Sequence, residues 1–276
     1  MSLPHPLHDR LRARIPLGTP DLSALADDAM LSALLDHRSV RAFAAGDVAA
    51  ADLDGAIAAA QSAATSSNLQ CFSVVAVRDP ALRARYAELA GGQAHVRDAP
   101  LLLLWVLDLS RLRRMGEASG QPTEALDWLE MFVVGAVDVA LGAQNAAAFL
   151  EHRGYGTCYI GGMRNHPEQV ADLAGLPPLA MVLFGMTVGI PDPAQRPDIK
   201  PRLPPSVVLH HDRYDPVGEA DAIAAYGRAA AEASAAAGRP ARDWSEDAIR
   251  RVAGPQTLSG RDRLRAALDA LGFALR

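Results

Sequence analysis

Apolar residues recur at helical spacing from Leu22 to Leu35, behind Thr19-Pro20-Asp21, which reads as a helix start with a capping hydroxyl, a proline and an acid in its first turn. A second, alanine-rich helix is predicted over Val48 to Ala63. It stops in Thr65-Ser66-Ser67-Asn68, where hydroxyls and amides compete with the helical ladder and predict an irregular end. Cys71 to Val77 reads as a strand, Pro80 to Leu89 as a helix, and Leu101 to Leu107 as a fully buried strand. Glu124 to His152 is the longest helical stretch, apolar on nearly every side from Met131 to Leu150 except at Asp138, Gln144 and Asn145. Those polar residues and two glycines argue against a membrane span and for a helix buried in a protein or subunit core. Gly156 to Ile160 and Met181 to Val188 add two strands around a helix from His166 to Ala174. After Pro191 the chain is too rich in proline for regular structure, and helices are predicted over Glu219 to Ala237, Ser245 to Val252 and Arg261 to Leu271. Strands interleaved with helices give a mixed domain, with no internal repeat.

Composition narrows the function classes. With 276 residues, 50% hydrophobic and 21% charged, the chain can bury a large core without metal or disulfide help. Cys71 and Cys158 supply at most one bridge, so a reducing compartment is expected. The N-terminal residues include Arg10, Arg12 and Arg14 but no apolar run resembling a signal peptide, and the protein is expected in the cytoplasm. A net charge of −5 argues against nucleic acid and against an anionic membrane surface as partners. The tail from Arg239 to Arg276 departs from this balance, with eight arginines against five acids, and could hold a small polyanion.

The candidate chemistry lies in short segments. His37-Arg38-Ser39-Val40-Arg41 packs two guanidiniums, an imidazole and a hydroxyl into five residues, many donors and almost no acceptors, which suits an oxyanion; a solvated basic turn fits the same residues. Lys200 is the single lysine among 27 basic residues, and it stands with Arg202 in a loop stiffened by proline. Such a pair suits a ligand or a solvated linker. Gly91-Gly92-Gln93-Ala94-His95 and the stretch from Gly154 to Gly162 let backbone approach a planar or phosphorylated ligand. Neither is a phosphate-binding P-loop or a dinucleotide fingerprint. No metal is expected: His210 and His211 are adjacent rather than at ligand spacing.

Taken in order and at these separations, HRSVRAF (37–43), SAATSSNLQC (62–71), GGQAHV (91–96), GYGTCYIGGMRN (154–165), DIKPRLP (198–204) and DWSEDAIRR (243–251) resemble the NADPH-dependent, oxygen-insensitive nitroreductases and FMN reductases of the major nitroreductase A type. The resemblance covers Leu31 to Arg276, leaving residues 1 to about 26 and the insert around Arg114 to Glu124 without counterpart.

The resemblance implies an α+β nitroreductase-like fold, a mixed sheet flanked by helices, in an interlocked homodimer with a C-terminal helical excursion. It divides the chain into an N-terminal extension (1–26), an FMN-binding core (27–200) and the excursion (201–276). It assigns His37, Arg38, Ser39 and Arg41 to FMN phosphate and ring edge, hydrogen bonds to Thr65, Ser66 and Gln93, and backbone along the ring to Tyr159, Ile160, Gly161 and Gly162. Lys200 and Arg202 form a second cationic pair, and Lys200 with Arg41 offsets the charge that flavin reduction creates. The implied reaction is ping-pong: NADPH, or NADH, reduces FMN, and nitroaromatics, quinones or free flavin then take the electrons. Glu130 matches an acid near the active site. Arg239 and Arg242 stand in AAAGRPARDW, the stretch corresponding to the family's arginine-rich loop that grips the NADPH phosphate, without a residue-for-residue match, and Arg261 matches a distal family arginine better. That departure leaves open a non-catalytic FMN carrier or sensor.

Overall fold

In a computed structural model, the structure describes residues 6–25 and 28–276. Residues 1–5 of the expected N-terminal extension, and residues 26 and 27 within the expected Leu22–Leu35 helix, lie outside the described residues. In chain order the elements are α1 (Pro6–Arg14), α2 (Ala29–Leu35), α3 (Ala50–Gln61), β1 (Phe72–Val77), α4 (Pro80–Leu89), α5 (Ala94–Asp98), β2 (Leu101–Asp108), α6 (Ser110–Ser119), α7 (Leu129–His152) and β3 (Gly156–Ile160). They continue with α8 (Pro167–Ala174), β4 (Ala180–Gly189), α9 (Pro205–Val208), α10 (Glu219–Ala236), α11 (Trp244–Arg251) and α12 (Leu264–Ala270).

The described chain forms two compact units, one of Met1–Arg38 with Pro197–Leu258 and the other of Ser39–Arg196 with Ser259–Arg276. In the first, Leu7 and Leu11 of α1 bury against Leu35 of α2, with Ile15, Leu22 and Leu31 packed around them. The expected helix start at Thr19 is corrected: its hydroxyl donates back to the Ile15 carbonyl at 2.7 Å, and the cap of α2 is Asp28, whose carboxylate accepts from the Leu31 N–H at 2.7 Å. A carboxylate at that position satisfies an amide that the first helical turn leaves unpaired. Further along, Tyr226 of α10 meets Trp244 of α11 edge to face, ring centroids 5.3 Å apart.

The second unit is built on a four-stranded sheet in the order β1-β2-β4-β3. All pairings among these strands are antiparallel, and among the described residues parallel pairing enters only through the isolated bridge between Ser39 and Thr157. Every residue of β2 is buried, as the unbroken apolar run predicts. Its alternating side chains supply two separate cores. Leu101, Leu103, Trp105 and Leu107 enter the layer shared with α3 and α7, whereas Leu102, Leu104 and Val106 enter the layer with α4 and α8.

Helix α7 begins at Leu129 rather than at Glu124, because Trp128 is extended and residues 124–127 form a separate 3₁₀ turn. Its inner face carries Gly135, where a β-carbon would stand 2.7 Å from Leu107 Cγ of β2, so glycine allows the helix to seat on the sheet. Its outer face exposes Leu129, Val133, Val137 and Leu141, each between 42% and 50% accessible and one helical turn apart. α7 has the length and apolar character of a membrane span, yet Asp138 at its centre is buried within the unit.

Candidate functional site

In the first unit the structure brings the two cationic segments together through a residue that the sequence reading did not single out. Arg14, at the end of α1 and 8% exposed, donates to the carbonyls of Leu35 (3.2 Å), His37 and Lys200 (2.8 Å). The Arg14 carbonyl in turn accepts from the Arg202 N–H at 2.7 Å. His37, Lys200 and Arg202 thereby share one anchor. The loop is braced a second time by the Tyr226 hydroxyl, which donates to the Pro201 carbonyl at 3.1 Å.

Arg38 pairs with Asp36 at 2.8 Å and also donates to the Asp36 carbonyl at 2.7 Å. Its Nε is buried without a hydrogen-bond partner. A buried guanidinium N–H left unmet is costly, and an oxyanion is its natural complement. Arg239 is engaged with Asp198 at 3.1 Å, both side chains about half exposed, and Arg242 is exposed. The structure shows no joint grip by these two arginines.

In the second unit Ser39 is fixed by its bridge to Thr157, beside the Val40 N–H, which donates to the Thr157 carbonyl at 2.9 Å. Arg41 is exposed and makes no ion pair among the described residues; its charge acts on His95, whose pKa is pushed below its ordinary value first by burial and then by Arg41. The His95 Nε2 is buried and unpartnered.

Gln93 precedes α5, and its amide donates to the Ala90 carbonyl at 2.8 Å. A β-carbon on Gly162 would come within 2.5 Å of that carbonyl and 2.7 Å of Gln93 Nε2. Only glycine there allows the end of β3 to close against Gln93. Along β3, Tyr159 and Ile160 turn to opposite cores, so the backbone rather than these side chains leads into the Gly161–Gly162 turn. Tyr159 packs edge to face on Phe184 at 5.2 Å, and burial raises its pKa.

Two guanidiniums stand over Gly161: a β-carbon there would lie 3.4 Å from Arg164 Nη2 and 3.7 Å from Arg261 Nη1. Arg164 donates to the Leu183 carbonyl, and its pKa is lowered by burial and by the charge of Arg261. Arg261 is oriented by its Nε, which donates to Asn165 Oδ1 at 3.0 Å. The sequence reading named Arg261 but passed over Arg164, although GGMRN carries it two residues beyond Gly162.

The loop bearing Thr65 and Ser66 is organised by Asp138 of α7, which is 2% exposed. Its carboxylate accepts from the Thr65 hydroxyl at 2.6 Å, the Cys71 N–H at 3.0 Å and the Ser66 N–H at 3.3 Å. The Thr65 oxygen also accepts from the Gln70 N–H at 2.9 Å, so what it can still offer a ligand is one acceptor lone pair. Glu130 is exposed in the first turn of α7 and makes no ion pair among the described residues.

The cationic excess and the unmet Arg38 Nε fit a phosphorylated, negatively charged cofactor such as FMN. No group of His, Cys, Asp and Glu suited to a metal ion occurs among the described residues.

Comparison with known proteins agrees over nearly the whole length. Residues 34–190 match the Nitroreductase family and residues 200–276 its C-terminal domain. An NADPH-flavin oxidoreductase of Vibrio harveyi is 36% identical over 248 residues, 89% of this chain and 98% of that protein. An oxygen-insensitive NADPH nitroreductase of Salmonella typhimurium is 39% identical over 220 residues, 79% of this chain and 88% of that protein. The solved NADPH:FMN oxidoreductase of Vibrio harveyi, complexed with NAD+, superposes with a TM-score of 0.80 at 34% identity, covering 90% of this chain and all (100%) of that one. Matched by the family's two domains over most of its length, this chain, with its antiparallel sheet, its glycine turn beneath two arginines and its paired cationic segments, belongs to the nitroreductase family.

Proposed function

We propose that this protein is an FMN-dependent NADPH oxidoreductase that reduces nitroaromatics, quinones or free flavin. The observation that carries the reading is the Arg38 Nε–H, buried and unmet within a motif rich in donors and poor in acceptors. When bound, FMN supplies a two-electron centre that can take hydride from a nicotinamide and pass the electrons to an acceptor. The core of the reading is residues 27–200, with 201–276 as the helical excursion.

His37, Arg38, Ser39 and Arg41 bind the phosphate and ring edge, with Lys200 and Arg202 as the second cationic pair. Arg41 and Lys200 also offset the negative charge that reduction adds. At ~4 Å and an effective dielectric of about 20, one such pair is worth roughly 4 kcal/mol before desolvation. Lys200 is exposed, so solvent screening leaves well below that ceiling. Gln93 and the backbone of Tyr159, Ile160, Gly161 and Gly162 line the ring, and Thr65 and Ser66 add polar contacts. Arg261, with Arg164 beside it, offers positive charge to the nicotinamide nucleotide. Arg239, paired with Asp198, and Arg242 are further candidates for its phosphate. Glu130 supports the acceptor side.

The reading includes a homodimer. The apolar stripe Leu129, Val133, Val137 and Leu141 on α7 is covered by a second copy of the chain, which gives the outer face of that helix the burial that the unit itself withholds. The protein works in the reducing cytoplasm, in keeping with two buried cysteines, Cys71 and Cys158, that are not joined in a disulfide.

The Arg239–Asp198 pair favours a second reading, a flavin-binding carrier or sensor without turnover, because it occupies an arginine assigned to the nucleotide phosphate. Anaerobic addition of NADPH to the FMN-loaded protein separates the two. Prompt bleaching of the flavin absorbance is the expected outcome; persistent colour would establish the carrier instead.

A further inference from the structure

Residues 1–33 precede both segments matched to the family, and α1 lies wholly within them. Its Leu7 and Leu11 are 4% and 2% exposed against Leu35. Arg10 pairs with Asp36 at 3.2 Å, the same carboxylate that holds Arg38. At the end of α1 the planar Arg14 fork reaches Leu35, His37 and, 186 residues away in sequence, Lys200.

The chemistry of the acceptors explains the need for it. Leu35 closes α2, and carbonyls of a last helical turn lack intrahelical partners. The Lys200 carbonyl precedes a proline, in a loop with few amide donors of its own. A guanidinium carries several donors in one rigid plane and can serve carbonyls from different directions; an ammonium is a compact point charge and cannot reproduce that fork.

We propose that Arg14 is a positioning residue for the flavin site. By gathering the carbonyls of Leu35, His37 and Lys200, it holds the Lys200–Arg202 loop in register with His37–Arg38. Cofactor affinity and the charge assistance given by Lys200 then depend on a helix outside the part of the chain that matches the family. The inference rests on the FMN reading above.

The test uses the full chain as wild type, Arg14→Met, Arg14→Lys, Lys200→Ala and the double variant Arg14→Met/Lys200→Ala. FMN affinity is read by titrating the deflavinated protein with FMN, and the bound flavin's reduction potential by spectroelectrochemistry. Arg14→Met is expected to weaken FMN binding about tenfold, the scale of one lost charge-assisted hydrogen-bond set. It should also move the potential in the negative direction, as Lys200→Ala does. The double variant should move it no further than Lys200→Ala alone, because Arg14 acts through Lys200. Arg14→Lys should recover only part of the affinity.

Wild-type affinity and potential in Arg14→Met, with only thermal stability lost, would make Arg14 a brace for α1 and overturn the proposal. Additive shifts in the double variant would overturn it too. If Arg14→Met does not fold, Arg14→Lys decides, since full wild-type behaviour there shows that the fork is not needed. A wild-type protein that takes up no FMN removes the functional reading and this inference together, whereas a wild type that binds with unaffected variants removes this inference alone.

Discussion

Two loops bearing candidate site residues are each gathered by a buried charge, but the charges have opposite sign. In the first unit the Arg14 cation collects carbonyls from two segments far apart in sequence. In the second the Asp138 anion collects two amides and a hydroxyl from one loop, residues 65–71. The sign follows from which backbone groups local structure leaves over. A helix end and a loop rich in proline leave carbonyls; the 65–71 loop leaves amides, because Ser67, Asn68 and Gln70 adopt left-handed φ angles of 49°, 56° and 53° that break any regular ladder. Asp138 holds the loop on either side of these residues, through Thr65 and Ser66 before them and Cys71 after them.

Asp138 carries the largest of the expected effects. Asp138→Ala leaves two loop amides and a hydroxyl without their acceptor and is expected to cost about 3 kcal/mol in urea unfolding, more than Asp138→Asn, which keeps one acceptor oxygen. Equal losses in the two variants would show that the carboxylate charge, not its accepting geometry, holds the loop. Thr65→Val is the next step down. It removes the hydroxyl between Asp138 and Gln70 and is expected to cost about 1 kcal/mol by the same measurement.

The smallest effect is on pH dependence. Burial and then Arg41 keep the His95 pKa below its ordinary 6.5, so the folded state resists a proton that the unfolded chain accepts. Stability contributed by neutral His95 is therefore present above that value and lost as pH falls through it. Melting temperatures of wild type and His95→Gln, followed from about pH 7 down to about pH 5 across the ordinary histidine range, should converge at the acid end. Parallel curves would remove His95 from the account.

Much of the fold was legible because it is written in local periodicity. The unbroken run at Leu101–Leu107, Pro80 at a helix start and the polar stop after Ala63 each report a choice made within a few residues. Thr19-Pro20-Asp21 misled because the same residues serve a loop when the hydroxyl donates backward to Ile15. The candidate site was legible as motifs, but the residues that hold those motifs were not. Arg14 stands in a chain where nearly every basic residue is arginine, so its identity carried no signal, and its contact with Lys200 has no local trace. The apolar pair Leu7 and Leu11, one helical turn apart, was the available clue to α1. For Asp138 the clue was plainer: a lone carboxylate inside an apolar helix must find donors.

The central strand carries a consequence for how the second unit comes apart. Because β2 lends alternate side chains to both hydrophobic layers, neither sheet face can be stripped while its opposite survives. Leu103 and Leu104 point away from each other, yet truncating either should lower one shared melting transition, and the fluorescence of Trp105, lodged on one side only, should report the collapse of both.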